Sequence, residues 1–227
     1  TVSKVKVKIE EYDKMQSKGT IYKKLQFLLN CRTAEFFGAK LPILLREIST
    51  KIAENSEFAS DKRFKKIHAL SEENRFFHWG LEFPQIYYNE NGEKKSNSGF
   101  DVIIGNPPYI RIQSVKVNAP LQLDYFKNFF HPSGNYDISI LFLEKSFDLL
   151  NQNGVDGFIT TSKFFQADYG KPIRSIICKK KAIKEIIDFG DQQVFQGVST
   201  YTALLFLTKS ENEKFKYVRI KKLLKKI

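Results

Sequence analysis

Phe100-Asp101-Val102-Ile103-Ile104-Gly105-Asn106-Pro107-Pro108-Tyr109 is the stretch on which the reading of this chain turns. Residues 102–105 form a short apolar run of the length of a buried strand. That run meets two consecutive prolines, which lack a backbone N–H and cannot extend a helix or a sheet ladder. The pattern predicts a strand ending at Gly105 and a stiff turn beyond it. Downstream, DISILFLEKSFDLLNQNG (137–154) reads as a helix closed by Asn153-Gly154, a helix-stop signal. VDGFITT (155–161) reads as a strand, 170–180 as a helix and AIKEIIDF (182–189) as a further strand. YTALLFLTK (201–209) has strong strand propensity, KYVRIKK (216–222) reads as a last strand, and residues 121–130 suit a short helix. Strands alternating with helices predict an α/β sheet that is at least partly parallel.

Upstream the character changes. FFHWGLEFPQIYY (76–88) is apolar and aromatic and leads into the polar turn NENGEKKSNSG (89–99). Residues 1–75 read as helical. Ile21, Leu25, Leu28, Leu29 and Phe36 recur near a 3.6 period, and Leu41, Leu44, Leu45, Ile48 and Ile52 make a second stripe. Pro42 suits a first helical turn, and Lys62 to Leu70 a third short helix. The expected organisation is a helical hairpin over 1–75 and an α/β part over 76–227.

Composition narrows the function classes. No apolar run approaches the roughly 20 residues of a membrane-spanning helix, and the charged start carries no signal-peptide pattern. Cys31 and Cys178, far apart, fit a reducing compartment without a disulfide framework. The chain is therefore expected to be cytoplasmic. His68, His78 and His131 lack metal-ligand spacing, so structural roles are expected for all three. The net charge of +12 is unevenly spread: +6 over 1–80, −2 over 81–172 and +8 over 173–227. Basic flanks suit a polyphosphate partner, and equally a lysine-rich solubilising surface. Thr1 in place of Met makes the chain an expected piece of a longer polypeptide.

In open α/β sheets ligands bind beyond the carboxyl ends of the strands, which is where Asn106 to Tyr109 would stand. Asn106 offers a neutral carbonyl acceptor. The Asn106 side chain and a backbone carbonyl of the proline turn could together grip both hydrogens of one planar amino group, and Tyr109 adds a flat face. Such a corner suits methylation of an aromatic amine. Adenine's amino nitrogen is a poor nucleophile, and two acceptors would favour its pyramidal form and stabilise the positive charge that develops on transfer. The same four residues would equally suit another planar amide or amine.

FDVIIGNPPY resembles the catalytic motif of amino-group DNA methyltransferases of the adenine-N6 class. FHWGLEFPQIYY before it, GFITTSKFF (157–165) after it and DFGDQQVFQGVSTYTALLFLTK (188–209) make the chain look like the type IIG restriction–modification family, which joins nuclease, methyltransferase and target recognition in one polypeptide. The resemblance spans about residues 76–209. It implies a Rossmann-like sheet, S-adenosylmethionine as methyl donor and double-stranded DNA as partner. Carried over by position, Asn106 and Pro107 would accept from the target amino group, with Asn106 also near the cofactor. Pro108 would hold the loop, while Tyr109 and Phe195 would stack on the extruded base. One departure stands out. The family's glycine turn for the methyl donor, with an acidic residue ending the following strand, has no counterpart upstream of Asn106, since FFGAKLP (36–42) has a single Gly between helix-like segments. Residues 1–75 match a helical insertion of the family better. The expectation is therefore the catalytic half of such an enzyme, without its methyl-donor motifs or target-recognition region. RNA or protein-glutamine methylation through the same tetrapeptide, and a non-catalytic nucleic-acid-binding piece, stay open.

Overall fold

The computed structural model describes residues 20–129, 134–195 and 201–221, with positions 6, 10, 13, 14 and 17 before them. Two compact units are present, Thr1–Pro84 and Gln85–Ile227. The fold class is α/β, a partly parallel sheet preceded by a helical segment, as the alternation of elements predicts.

The helical unit is built on α1 (Ile21–Glu35), α2 (Leu45–Glu54) and α3 (Lys65–Glu73); the one-turn helices α4 (Trp79–Glu82) and α5 (Pro84–Tyr87) follow along the chain. The Thr20 hydroxyl caps α1 by accepting from the Lys23 N–H at 3.3 Å. The core consists of Phe27, Cys31 and Ala34 of α1 against Ile48, Ile52, Phe64 and Ile67. This is not the stripe that the apolar period marks on α1: Ile21, Leu25 and Leu29 are exposed, and only Leu28 of the expected set packs on the core. α1 carries two apolar faces, and the one holding the small residues Cys31 and Ala34 lets its neighbours approach closely. Pro42 lies ahead of α2 and not in its first turn. The unit runs through Pro84 because its last segment is tied back to α1. The Tyr22 hydroxyl donates to Glu82 at 2.8 Å, and the His78 ring bonds the Asn30 side chain at 2.7 Å. His68 Nε2 meets the Ala59 carbonyl at 2.8 Å and its ring stacks on Phe27. Both histidines thus have structural partners, while His131 lies outside the described residues. Cys31 is fully buried, and burial pushes its thiol up to about 12.

The second unit is a five-stranded sheet in the order β1-β2-β4-β3-β5. The strands are β1 (Phe100–Gly105), β2 (Leu150–Thr161), β3 (Ile183–Asp188), β4 (Thr202–Thr208) and β5 (Lys216–Arg219). β1 pairs parallel with β2 and β5 parallel with β3, while β4 runs antiparallel between β2 and β3. Between β1 and β2 come α6 (Ile112–Asn118), α7 (Leu123–Phe126) and α8 (Ser139–Leu149), and α9 (Lys171–Lys179) joins β2 to β3. The main core lies under one face of the sheet, where Ile112, Leu143, Ile173 and Ile177 of the helices meet Phe158, Ile186 and Leu205.

One boundary differs from expectation. Asn153-Gly154 does not end the helix; α8 stops at Leu149 and β2 begins at Leu150. The pair sits in a bulge, since Phe100 pairs with Leu150 but Val102 with Val155. A Cβ on Gly154 would stand 2.5 Å from the Phe100 carbonyl oxygen, so the glycine marks a close approach of two strands and not a helix cap.

Candidate active site

β1, β2 and β3 share one direction, so their carboxyl ends lie along the same edge of the sheet. Asn106-Pro107-Pro108-Tyr109 leaves the end of β1 there. The Thr161–Phe165 segment leaves β2, and the Asp188–Phe195 segment leaves β3. The position of Asn106 depends on Gly105, whose missing side chain leaves room for the Phe158 ring; a Cβ would stand 2.7 Å from that ring. Phe158 is itself core, so the strand tip rests on the interior of the unit.

Within the tetrapeptide the environments divide sharply. Asn106 is exposed, Pro107 buried, Pro108 exposed and Tyr109 half-buried. Buried Pro107 anchors the turn, and exposed Asn106 leaves its side-chain amide available to a ligand. The Tyr109 hydroxyl donates to the Ile159 carbonyl of β2 at 3.1 Å, which ties the ring to the next strand. Burial raises the Tyr109 phenol, and the Asp137 carboxylate raises it further. Phe195 is half-buried and borders residues 196–200, which lie outside the described residues. It starts from the same sheet edge, but nothing in the geometry ties it to Asn106.

Sequence reasoning missed a polar group around Tyr109. The chain leaving the tetrapeptide forms an antiparallel bridge between Arg111 and Asp137, flanked by Ile112 N–H to Tyr136 carbonyl at 2.9 Å and Ile138 N–H to Ile110 carbonyl at 2.8 Å. Asp137 also accepts from the Ser139 N–H at 2.9 Å, at the entry to α8. Burial raises the Asp137 carboxyl, opposed by its bonds to Ser139 and by the charges of Lys163 and Arg111. Burial and then Asp137 raise the Tyr169 phenol. Asp137 is therefore the acid whose field reaches both tyrosines. Its signal in the sequence is an Asp two residues ahead of an apolar helical run, which reads as a helix entry and conceals its place beside Tyr109. Among the described residues no group of three or more His, Cys, Asp or Glu could hold a metal ion, and no helix is long and apolar enough to cross a membrane.

A half-covered α/β sheet with an exposed Asn–Pro corner at a strand's carboxyl end defines an open-sheet protein whose site lies along that edge. The profile of the Eco57I restriction-modification methylase matches residues 6–195, and the chain belongs to that family. It is 36% identical over 127 residues to the Type II restriction enzyme and methyltransferase RM.Eco57I of Escherichia coli, covering 56% of this chain and 13% of that protein. It is 32% identical over 111 residues to the Type II methyltransferase M.PaeR7I of Pseudomonas aeruginosa, covering 48% of this chain and 19% of that one. The chain thus spans less than a fifth of the length of either relative. Among solved structures, a putative class I S-adenosylmethionine-dependent methyltransferase from Listeria monocytogenes aligns with a TM-score of 0.42 at 17% identity, over 59% of this chain and 41% of that one.

Proposed function

We propose that this chain is the catalytic half of an S-adenosylmethionine-dependent DNA adenine-N6 methyltransferase belonging to a cytoplasmic restriction–modification enzyme. The observation that carries the reading is the Asn106-Pro107-Pro108-Tyr109 corner, with Asn106 exposed and Pro107 buried at the carboxyl end of β1. In this reading the Asn106 side chain and the Pro107 carbonyl accept the two hydrogens of the adenine amino group. Tyr109, held by its bond to Ile159, offers its ring to a base turned out of the duplex, and Phe195 is the second stacking candidate. Extrusion costs a few kcal/mol, and stacking worth about 1–3 kcal/mol per base offsets part of it. The amino proton becomes acidic only once the nitrogen carries positive charge, so no strong base is needed beforehand. Double-stranded DNA is the partner, and the basic flanks on either side of a near-neutral middle suit it. Residues 1–75 would be a helical insertion and 76–227 the catalytic part. Target recognition would lie in other regions of the same enzyme.

S-adenosylmethionine, which supplies the methyl group when bound, does not find a complete pocket in the described residues. β1 is the outermost strand of the sheet, and Gly38 is a turn between two helices of the other unit and not a strand-end loop. This chain's share of the chemistry in this reading is the grip on the amino group.

The test is a methyl-transfer assay of the intact enzyme on DNA, RNA and release-factor protein. Label in DNA, recovered as N6-methyladenine, is expected; label only in RNA or protein would refute the assignment. Asn106→Ala should lower turnover by at least a hundredfold, as loss of one preorganised charge-stabilising contact does, with DNA affinity largely kept. Near-wild-type turnover would remove Asn106 from this role.

A further inference from the structure

β5 contributes nothing to the core. It is Lys216–Arg219, and none of its residues belongs to the cluster under the sheet. Tyr217 is 54% exposed, Lys216 and Arg219 are exposed, and Val218 is half-buried. A strand that adds no core burial needs another reason for its place, and its side chains supply one. They converge on the turn at the carboxyl end of β3. The Tyr217 hydroxyl donates to Asp188 Oδ2 at 2.9 Å, and Asp188 Oδ1 accepts from the Gly190 N–H at 2.8 Å. One carboxylate thus joins β5 to the turn through both of its oxygens, and a phenol donating to a carboxylate is a charge-assisted bond with a defined geometry. The Asp188 carbonyl also accepts from the Ile220 N–H at 2.8 Å.

Arg219 holds the next residue of the turn. Gly190 has φ +57°, and a Cβ there would stand 3.3 Å from Arg219 Nε, so the guanidinium lies against a backbone that only glycine leaves clear. The Gln192 amide lowers the Asp191 carboxyl most, and the Arg219 charge adds to it. The start of β5 is itself fixed by the Lys216–Glu185 ion pair at 2.9 Å. On the other side of β3 the Phe189 N–H donates to the Thr202 carbonyl at 3.1 Å. The turn is therefore held from both neighbouring strands.

What this turn directs is the segment 189–195, which ends at Phe195. The order β1-β2-β4-β3 puts three strand spacings, about 14 Å, between the tips of β1 and β3. Residues 189–195 span at most about 24 Å when extended. Phe195 can cross to a base gripped at Asn106, along a path whose direction is set at its root, and a rotation at Gly190 is magnified along the segment. We propose that Tyr217 and Arg219 are positioning residues of the methyl transfer: by holding Asp188 and Gly190 they fix the turn that directs Phe195 onto the target base. The inference rests on the methyltransferase reading for the base that Phe195 meets, and on the bonds of β5 for how the turn is held.

A mutant cycle in the intact enzyme tests the clamp. Tyr217→Phe with Arg219→Ala should leave the urea midpoint unchanged, because both side chains are exposed. The same variant should lower kcat/KM for methyl transfer at least tenfold and change the emission of 2-aminopurine at the target position at least twofold. In a Phe195→Ala background the two substitutions should change neither quantity, because they act through that ring. Tyr217→Phe alone keeps every charge and deletes one exposed atom; it should lower kcat/KM at least threefold, again only when Phe195 is present, and it decides the matter if the double variant fails to fold. Wild-type transfer and emission in these variants would overturn the proposal. So would losses of equal size with and without Phe195, which would put Arg219 directly on the DNA. Coupling between β5 and Phe195 with label recovered only in RNA or protein would sink the adenine assignment alone and leave the clamp standing.

Discussion

Replacing Asp156 with Asn should flatten the dependence of stability on pH, and the hydrogen bonds say why. Asp156 lies on β2, fully buried against α8. One carboxyl oxygen, Oδ2, meets the Ser146 hydroxyl, while Oδ1 has no hydrogen-bond partner. Ser146 has one proton, and its oxygen also stands 3.0 Å from the Leu143 carbonyl, which can only accept. The arrangement closes if Asp156 is protonated and donates to Ser146, which donates on to Leu143. Burial pushes Asp156 up, from the ordinary 3.8 to about 7, and outweighs the lowering that a bond from the Ser146 hydroxyl gives the carboxylate form. The sign follows from proton counting. Below pH 3.8 both folded and unfolded chains hold the proton and stability is flat. Between there and about pH 7 only the folded chain holds it, so stability falls by about 1.4 kcal/mol per pH unit. Above that neither holds it, and the loss totals about 4 kcal/mol from this group. An Asn amide can donate to Ser146 at every pH. Urea unfolding of both proteins from pH 4 to 8 should therefore show the wild type losing about 4 kcal/mol relative to Asp156→Asn. Parallel curves would refute the argument, because they would mean that Asp156 titrates alike in the folded and unfolded chains.

Three further outcomes follow from the site and its supports. Tyr109→Phe removes the bond to Ile159 and should cost about 1 kcal/mol in denaturant unfolding, whereas Tyr109→Ala should also weaken capture of the target base, read by fluorescence of 2-aminopurine placed at that position. Gly105→Ala drives a methyl group into the Phe158 ring and should destabilise by about 1–3 kcal/mol, with turnover falling further than stability predicts because Asn106 shifts with the strand tip. DNA affinity of the intact enzyme should fall steeply between 50 and 200 mM salt, by roughly tenfold or more if the basic flanks touch phosphates; a flat titration would make them solvated surface only.

The sheet was legible in the sequence because its signals are local. The FDVIIG run, the alternation in VDGFITT and the β-branched and aromatic content of YTALLFL each mark a strand without reference to a neighbour, and the structure has strands at all three. Asn153-Gly154 misled because glycine has two distinct uses, closing a helix and admitting a neighbouring backbone. Only the pairing of Phe100 with Leu150 reveals that the second applies. The stripe on α1 misled for a related reason. A 3.6 period locates an apolar face, but Ile21, Leu25 and Leu29 satisfy it as well as Phe27, Cys31 and Ala34 do, and which face finds a partner is decided by α2 and α3. Asp137 could not be found at all from spacing, since its neighbourhood with Tyr109 is made by a bridge across 26 positions of chain, from Arg111 to Asp137.

Taken together, these misses locate where long-range contacts decide the outcome, and the candidate site depends on the same contacts. Asn106 is presented by a strand tip that needs Gly105 to admit Phe158, a turn that needs Pro107 buried, and a tyrosine held to β2 through Ile159. None of these supports reaches across the outer edge of β1. In the proposed reading the grip on the amino group is thus braced from β2, through Phe158 and Ile159. A corner held by packing before any ligand arrives needs no rearrangement to present its acceptors, so changes at Gly105 or Tyr109 should lower turnover without touching the Asn106 side chain itself.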